Sequence, residues 1–340
     1  MVNVRFDDVV KRAQTKEDRF NTDKIYYVGG EHIASNELMV QGRGLIKGST
    51  IGPMFYYGFK AGQVLFVTRN PHLRKAALVD FDGICSEKTL VLETKNQSVL
   101  LQEYLPLVMQ SDDFWKYMEE NKSGGVNYFV NWSTLADYEF DLPPLAEQKL
   151  LADKLWAAYR LKESYKKLLL ATRDMVKSQF IEMFGDTHEK SDNSRQWKEV
   201  VEIINGKDYK TVQVEDGGYP VYGTGGEIAR AADYLSPANS ILLGRKGTID
   251  KPLLIKEKYW NVDTAFGAVP DENILNYVYF YWHCKTIDFN ILNKGTTLPS
   301  TTKVDLLNLW VKIPAMEEQN RFASIVEQAD KSGFRTQQIH

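Results

Sequence analysis

Apolar residues along the chain keep two different spacings, and the change from one to the other happens twice. In residues 1–141 the apolar positions form short β-type runs, VLFVT (64–68), AALVDF (76–81) and TLVLET (89–94), bounded by Gly, Asn, Pro and Asp, which predicts strands. LLQEYLPLVMQSDDFWKYMEEN (100–121) then has the spacing of a helix, with Pro106 expected to kink or split it. Residues 186–312 repeat the order. SILLG (240–244), PLLIK (252–256) and AFGAV (265–269) read as strands, and the helix-like NYVYFYWHCKTIDF (276–289) follows.

Between the two stretches the period lengthens. From Pro144 onward Leu151, Leu155, Ala158, Tyr165, Leu169, Thr172 and Val176 recur in the three–four alternation of a coiled-coil seam, interrupted by Lys162. Neither proline nor glycine occurs between Leu145 and Phe184. The pattern predicts a helix of about 38 residues, about 57 Å long, closed by Gly185.

One phrase marks both transitions: LPPLAEQ at 142–148 and IPAMEEQ at 313–319. Their offset of 171 in a 340-residue chain implies two copies of one unit. The internal order agrees, since FKAGQVLFVTR (59–69) lies opposite LSPANSILLGR (235–245), both ending in arginine before a loop. SGGVNYFVNWSTL (123–135) likewise lies opposite KGTTLPSTTKVDL (294–306). The expected boundaries are 1–141, 142–185, 186–312 and 313–340. After Gln319 a shorter second helix is expected over NRFASIVEQADK (320–331), ending before Gly333 and a polar tail.

Composition narrows the class. At 39.0 kDa, with 43% hydrophobic and 26% charged residues, each half can bury its own core. No apolar run approaches a membrane span and the N-terminus lacks a signal-peptide layout, so a cytoplasmic protein without membrane contact is expected. Cys85 and Cys284 lie one in each half without CxxC spacing, which argues against a zinc site or a disulfide framework. A net charge of −3 is neutral on nucleic acid, because a binding surface can be basic only locally.

The candidate chemistry is mostly weak. DLPPL (141–145) approaches an Asp-Pro-Pro-aromatic methyltransferase motif, but a leucine intrudes and no aromatic follows, so a proline-containing helix entry is the better reading. Asp82 with Glu93 and Lys95 imitates the Asp…Glu-x-Lys layout of Mg-dependent nucleases, an alternative reading without a counterpart in the second half. GTGGE (223–227) and GRKGT (244–248) lack Walker or dinucleotide spacing and read as turns. The five histidines (His32, His72, His188, His283, His340) are scattered and read as surface or packed residues. Basic and polar loop residues, by contrast, occur at matching places in both halves. The first half offers Arg43, Lys47, Arg69, His72, Arg74, Lys75 and Lys88, and the second Tyr222, Thr224, Arg230, Arg245, Lys246, Lys251, Lys294, Thr296 and Thr297. Such side chains can meet guanine edges or phosphates, and loops on a rigid sheet are where readers of DNA are placed.

Taken together, the repeated Pro…Glu-Gln helix entry, the long helix ending KSQFIEMFGD (177–186), and the segments YVGGEHI (27–33), GQVLFVTRNPHLRKAAL (62–78), YPVYGTGGEI (219–228) and SILLGRKGTIDKP (240–252) resemble the specificity subunit of type I restriction–modification systems. The resemblance spans nearly the whole chain. It implies an α+β fold in which two β-rich target recognition domains are separated by long helices that pair as an antiparallel coiled coil. It implies a non-catalytic subunit that binds double-stranded DNA, each domain reading half of a bipartite site. Modification subunits would dock on the helices and a restriction subunit would join them. S-adenosylmethionine, ATP and Mg would then sit on those partners, with no cofactor on this chain. Leu151, Leu155, Tyr165, Leu169, Val176, Phe322 and Val326 are the expected coiled-coil and docking positions. The second helix of the family is comparable to the first, whereas here it is shorter. The chain is therefore read as C-terminally truncated, with a coil paired over part of its length and weakened docking of one modification subunit. A structural adaptor without a DNA role is the third reading.

Overall fold

The computed structural model describes residues 2–295 and 298–337, and it divides into two units, Met1–Ser164 and Tyr165–His340. Each unit is built on the same four-stranded antiparallel sheet. In the first, the strand order is Val10–Arg12, Thr89–Thr94, Val64–Val67, Ala76–Leu78. In the second it is Val201–Asn205, Ala265–Pro270, Ser240–Gly244, Leu253–Ile255. Three of the four strands of each sheet, all but the outer one that comes first in the chain, are the runs legible from their apolar residues. The outer strand is not, because a one-turn helix, Phe6–Val9 or Trp197–Val200, leads straight into it and breaks the alternation. Phe6 and Trp197 from those turns are fully buried and anchor the two cores.

A small antiparallel pair closes each unit. Val2–Arg5 pairs with Glu139–Leu142, and Ser194–Gln196 pairs with Trp310–Lys312. In both cases the second strand runs into the repeated phrase. A further sheet flanks each core, five-stranded in the first unit and four-stranded in the second, and here the two copies differ in topology.

The segment 100–121 forms two helices, Leu105–Met109 and Asp112–Glu120. The break falls at Ser111, whose hydroxyl accepts from Phe114 N and caps the second helix, and not at Pro106. Pro106 lies in the first turn, where its missing N–H has no partner to lose. The counterpart in the second unit is a single helix, Tyr277–Thr286, capped by Asn276.

The long helix runs from Leu145 to Phe184, 40 residues without interruption. Gly185 ends it at φ +66°, its N–H bonded to Ile181 O at 2.8 Å, and Lys312 Nζ reaches Phe184 O at 3.0 Å, a cation on the negative end of the helix. Lys162, the interruption in the seam, pairs with Glu37 at 3.0 Å. The seam itself is covered unevenly. Leu151 and Leu169 are 38% and 37% exposed, and Leu155 and Tyr165 are half-buried. At the far end the helix is packed into a core: Val176, Phe180 and Phe184 join the second core with Phe322 of the terminal helix Met316–Gln337, while Val326 packs at its margin. Phe180 and Phe184 lie 5.2 and 5.7 Å from the Phe322 ring. The terminal helix is longer than its apolar spacing suggests, running through Gly333.

The second core also holds a polar relay. His283 is fully buried, with Nδ1 2.8 Å from Thr187 Oγ1 and Nε2 3.3 Å from Trp197 Nε1. Because an indole nitrogen only donates, Nε2 accepts and Nδ1 carries the proton toward Thr187. The His188 ring lies 4.6 Å away, tilted by 39°, and bonds Thr286 Oγ1. Burial holds both imidazoles below the ordinary 6.5, and the neighbouring His188 adds to the effect on His283. The unfolded chain then binds more protons than the folded one below about pH 6.5, so stability falls with acidification through that value and is complete above it. Chemical unfolding from pH 5 to 8 is expected to show this slope, and His283→Asn to flatten it; an unchanged slope in the variant would contradict the assignment.

Candidate nucleic-acid interface

Backbone hydrogen bonds align the two units residue by residue. Thr68 N bonds Lys88 O at 2.8 Å in the first unit, and Arg245 N bonds Thr264 O at 2.9 Å in the second. The neighbouring strand partners are Val67 with Thr89 and Gly244 with Ala265. Thr68 therefore corresponds to Arg245, and Arg69 to Lys246. Matching the two arginines by sequence is off by one residue, because the cue was residue type and the alignment is set by the ladder. A second bridge repeats the point: Arg69 faces Phe129 and Lys246 faces Ser300. Phe129 and Ser300 close equivalent hairpins, with Ser123 N bonded to Phe129 O and Lys294 N to Ser300 O. The short helices Trp132–Ala136 and Lys303–Leu307 follow at the same offset of 171 as the repeated phrase.

These contacts gather one group of side chains at the same sheet end in each unit. In the first, the Arg69 guanidinium lies 5.4 Å from the Phe129 ring centre and reaches Asn127 O at 3.5 Å. Lys88 bonds Glu87 Oε1, and Glu87 Oε2 accepts from Tyr56 at 3.0 Å. Lys88 first, then Tyr56, holds the Glu87 carboxyl below its ordinary range, and the same carboxylate pushes the Tyr56 phenol up to about 12. In the second unit Arg245 reaches Asp263 O at 3.3 Å with its guanidinium 5.7 Å from the Phe266 ring, and Lys246 is exposed. Lys294 sits on the adjoining hairpin and pairs with Asp305 at 2.6 Å, keeping that carboxyl ionised. Thr296 and Thr297 lie outside the described residues.

The remaining nominated residues spread over the flanking sheets and turns. The Arg43 guanidinium lies 4.1 and 4.8 Å from the Tyr26 and Phe81 ring centres, a cation held between two aromatic rings. Lys47 and Lys251 are exposed. Arg74, at φ +49°, pairs with Asp112 at 2.7 Å, and Lys75 donates to Gly30 O, so both are tied into the fold. Exposed His72 lies in the turn between Arg69 and Arg74. Thr224 lies at the tip of a hairpin joining Tyr219–Gly223 to Gly226–Ala231. On its arms are Tyr222, whose phenol is pushed up by burial and then by Glu257 and Glu227, and Arg230, paired with Glu227 at 2.8 Å.

In the Asp82, Glu93, Lys95 set the two carboxylates are engaged by different donors. Asp82 accepts from Ala61 N and Lys24, while Glu93, on the strand Thr89–Thr94, accepts from Gln63 and Lys11. Those donors hold each carboxyl below its ordinary range separately. Among the described residues no three His, Cys, Asp or Glu side chains could share a metal ion, and no helix is long and apolar enough to cross a membrane. Cys85 and Cys284 are buried, which raises both thiols away from reactivity.

A duplicated α+β unit with cationic strand ends, its strands followed each time by the same helix start, defines the class. Residues 1–170 and 190–339 each match the type I restriction modification DNA specificity domain, and the chain belongs to that family. Among solved structures it is similar to the type I restriction-modification S subunit from M. genitalium, at 16% identity over 99% of this chain and 91% of that one, with a TM-score of 0.68. It is also similar to a chain from a study of complex assembly and conformational transition of the type I R-M system, at 20% identity, 99% and 92% coverage, and a TM-score of 0.51. These likenesses establish a shared fold. No curated protein matches the chain.

Proposed function

We propose that the chain is the DNA-recognition subunit of a type I restriction–modification complex, each unit reading one half of a bipartite site. One observation carries the reading: the same strand end, in the same register, presents a cation in both units, Arg69 in one and Lys246 in the other. Lys88 accompanies the first, and Arg245 and Lys294 accompany the second. Arg and Lys at such an edge can bind guanine O6/N7 or phosphate, and a duplicated reader suits a two-part target. Modification subunits would dock on the helices, bringing S-adenosylmethionine, and a restriction subunit would bring ATP and Mg. The less covered seam positions, Leu151 and Leu169, are available for such docking. The uneven cover of the long helix supports the expectation of a coil paired over part of its length.

The test is selection from a random duplex library by the chain assembled with its modification subunits. A bipartite motif is expected. Arg69→Ala with Lys88→Ala should erase one half of it, and Arg245→Ala with Lys246→Ala the other. The log–log salt slope should become shallower by roughly 1 for each phosphate contact removed. Recovery of no motif, or loss of both halves from either pair, would defeat the reading.

A further inference from the structure

The register that pairs Arg69 with Lys246 brings a second pair of residues into correspondence. Lys88 and Thr264 occupy one position, as their carbonyls show, so the residues just before them correspond as well: Glu87 and Asp263. Both are acids, although their neighbours differ, with Ser86 and Lys88 in one copy and Val262 and Thr264 in the other. Resting on the DNA-recognition reading above, we infer that Glu87 and Asp263 are base-reading acceptors, each taking a hydrogen bond from an exocyclic amino group, cytosine N4 or adenine N6, in its half-site.

The argument begins with electrostatics. Duplex DNA carries about one negative charge per 1.7 Å of axis, so a carboxylate on the edge that meets it opposes every phosphate contact nearby. Phosphate binding alone gives no reason for an acid at this position in both copies. Amino groups on base edges do, because Asp and Glu accept from them and cannot serve phosphates. The local geometry suits the role. Glu87 is held by Tyr56 on one oxygen and Lys88 on the other, and an ionised carboxylate has about four acceptor sites, so lone pairs remain for a base. Asp263 is exposed, beside Arg245, and among the described residues its carboxylate takes no hydrogen bond.

The experiment uses the assembled complex and the random duplex library. Glu87→Ala is expected to relax discrimination at one base pair of the first half-site by about 5- to 100-fold, leaving the second half-site intact, and Asp263→Ala to do the converse. Both should bind unrelated DNA more tightly, since each removes a negative charge. Glu87→Asp, which keeps the charge and shortens the reach, should relax the same base pair without the gain on unrelated DNA. Whether the wild-type preference at that pair is for cytosine or for adenine names the amino group. A bipartite motif unchanged at every position in the variants, or an affinity shift equal for all sequences, would overturn the inference. Absence of any bipartite motif with the wild-type complex would instead overturn the reading on which it rests.

Discussion

Replacing Phe180 by Ala is expected to destabilise the second unit by about 3–5 kcal/mol, the cost of deleting a fully buried aromatic ring from a packed core. Phe180 is the point where the long helix enters that core. Its ring lies 5.2 Å from both Phe184 and Phe322, 5.6 Å from Tyr279 and 6.5 Å from Trp282. The neighbours are themselves fixed. Tyr279 donates to Lys312 O at 2.8 Å, and Lys312 in turn binds the end of the long helix, so the site cannot close easily around the vacancy. Amide exchange in Ser240–Gly244 and Ala265–Pro270 should quicken about 10²- to 10⁴-fold wherever it requires opening of the core, the same free energy expressed as a ratio at tenfold per 1.4 kcal/mol. Leu168→Ala is the control. Leu168 lies on the same helix but is 54% exposed, and its loss should change stability by roughly 0.5 kcal/mol or less. A Phe180→Ala effect below about 1 kcal/mol, or one equalled by Leu168→Ala, would mean that the helix is not anchored there.

That contrast shows what could be read from the sequence. The duplication, three strands of each core sheet and the long helix follow from local patterns: apolar runs of five or six residues, a sustained three–four spacing and a glycine stop. The covered part of the seam does not, because spacing says which residues share a face and not what covers it. Leu169 and Val176 belong to one stripe by period, yet only Val176 is buried. The flanking sheets escaped because their strands are short and their pairing joins segments far apart in the chain, as between Tyr26–Val28 and Gly83–Ser86.

The cations of the candidate interface were legible because a search for DNA readers looks for Arg and Lys. The grouping of Arg69 with Lys88, and of Arg245 with Lys246 and Lys294, depends on the ladder and on a hairpin brought in from more than 45 residues away. The one-residue error in matching Arg69 to Arg245 has the same origin. So does the omission of Glu87 and Asp263. Neither acid stands out by composition, and only the register places them at one position.

Replacing the glutamine of the repeated phrase should destabilise each unit by about 3 kcal/mol, since a buried side chain loses three hydrogen bonds and their partners are left bare. Gln148 and Gln319 are 1% and 0% exposed. Gln148 accepts from Leu101 N at 3.0 Å and donates to Val99 O and Pro143 O at 2.8 and 2.9 Å. Gln319 accepts from Asn276 N at 2.8 Å and donates to Ile274 O and Pro314 O at 3.0 and 2.9 Å. The sets are equivalent, so the phrase is more than a helix start: it fastens the helix to the segment that begins each unit's helical layer. Only a side chain with one acceptor and two donors fits, which is why glutamine stands there in both copies. Gln148→Leu and Gln319→Leu keep most of the volume and remove all three bonds. Gln319→Glu provides a sharper test. An ionised carboxylate would face two carbonyls without a proton, while a protonated one can donate to one of them, so this variant should be less stable than Leu at pH 8, and its deficit relative to the wild-type chain at the same pH should shrink as pH falls toward 5. Unfolding titrations of the variants across that range check both statements. Stability equal to wild type in the Leu variants, or a Glu variant whose deficit relative to wild type shrinks with rising pH, would show that the repeated glutamine does not hold the helix in place.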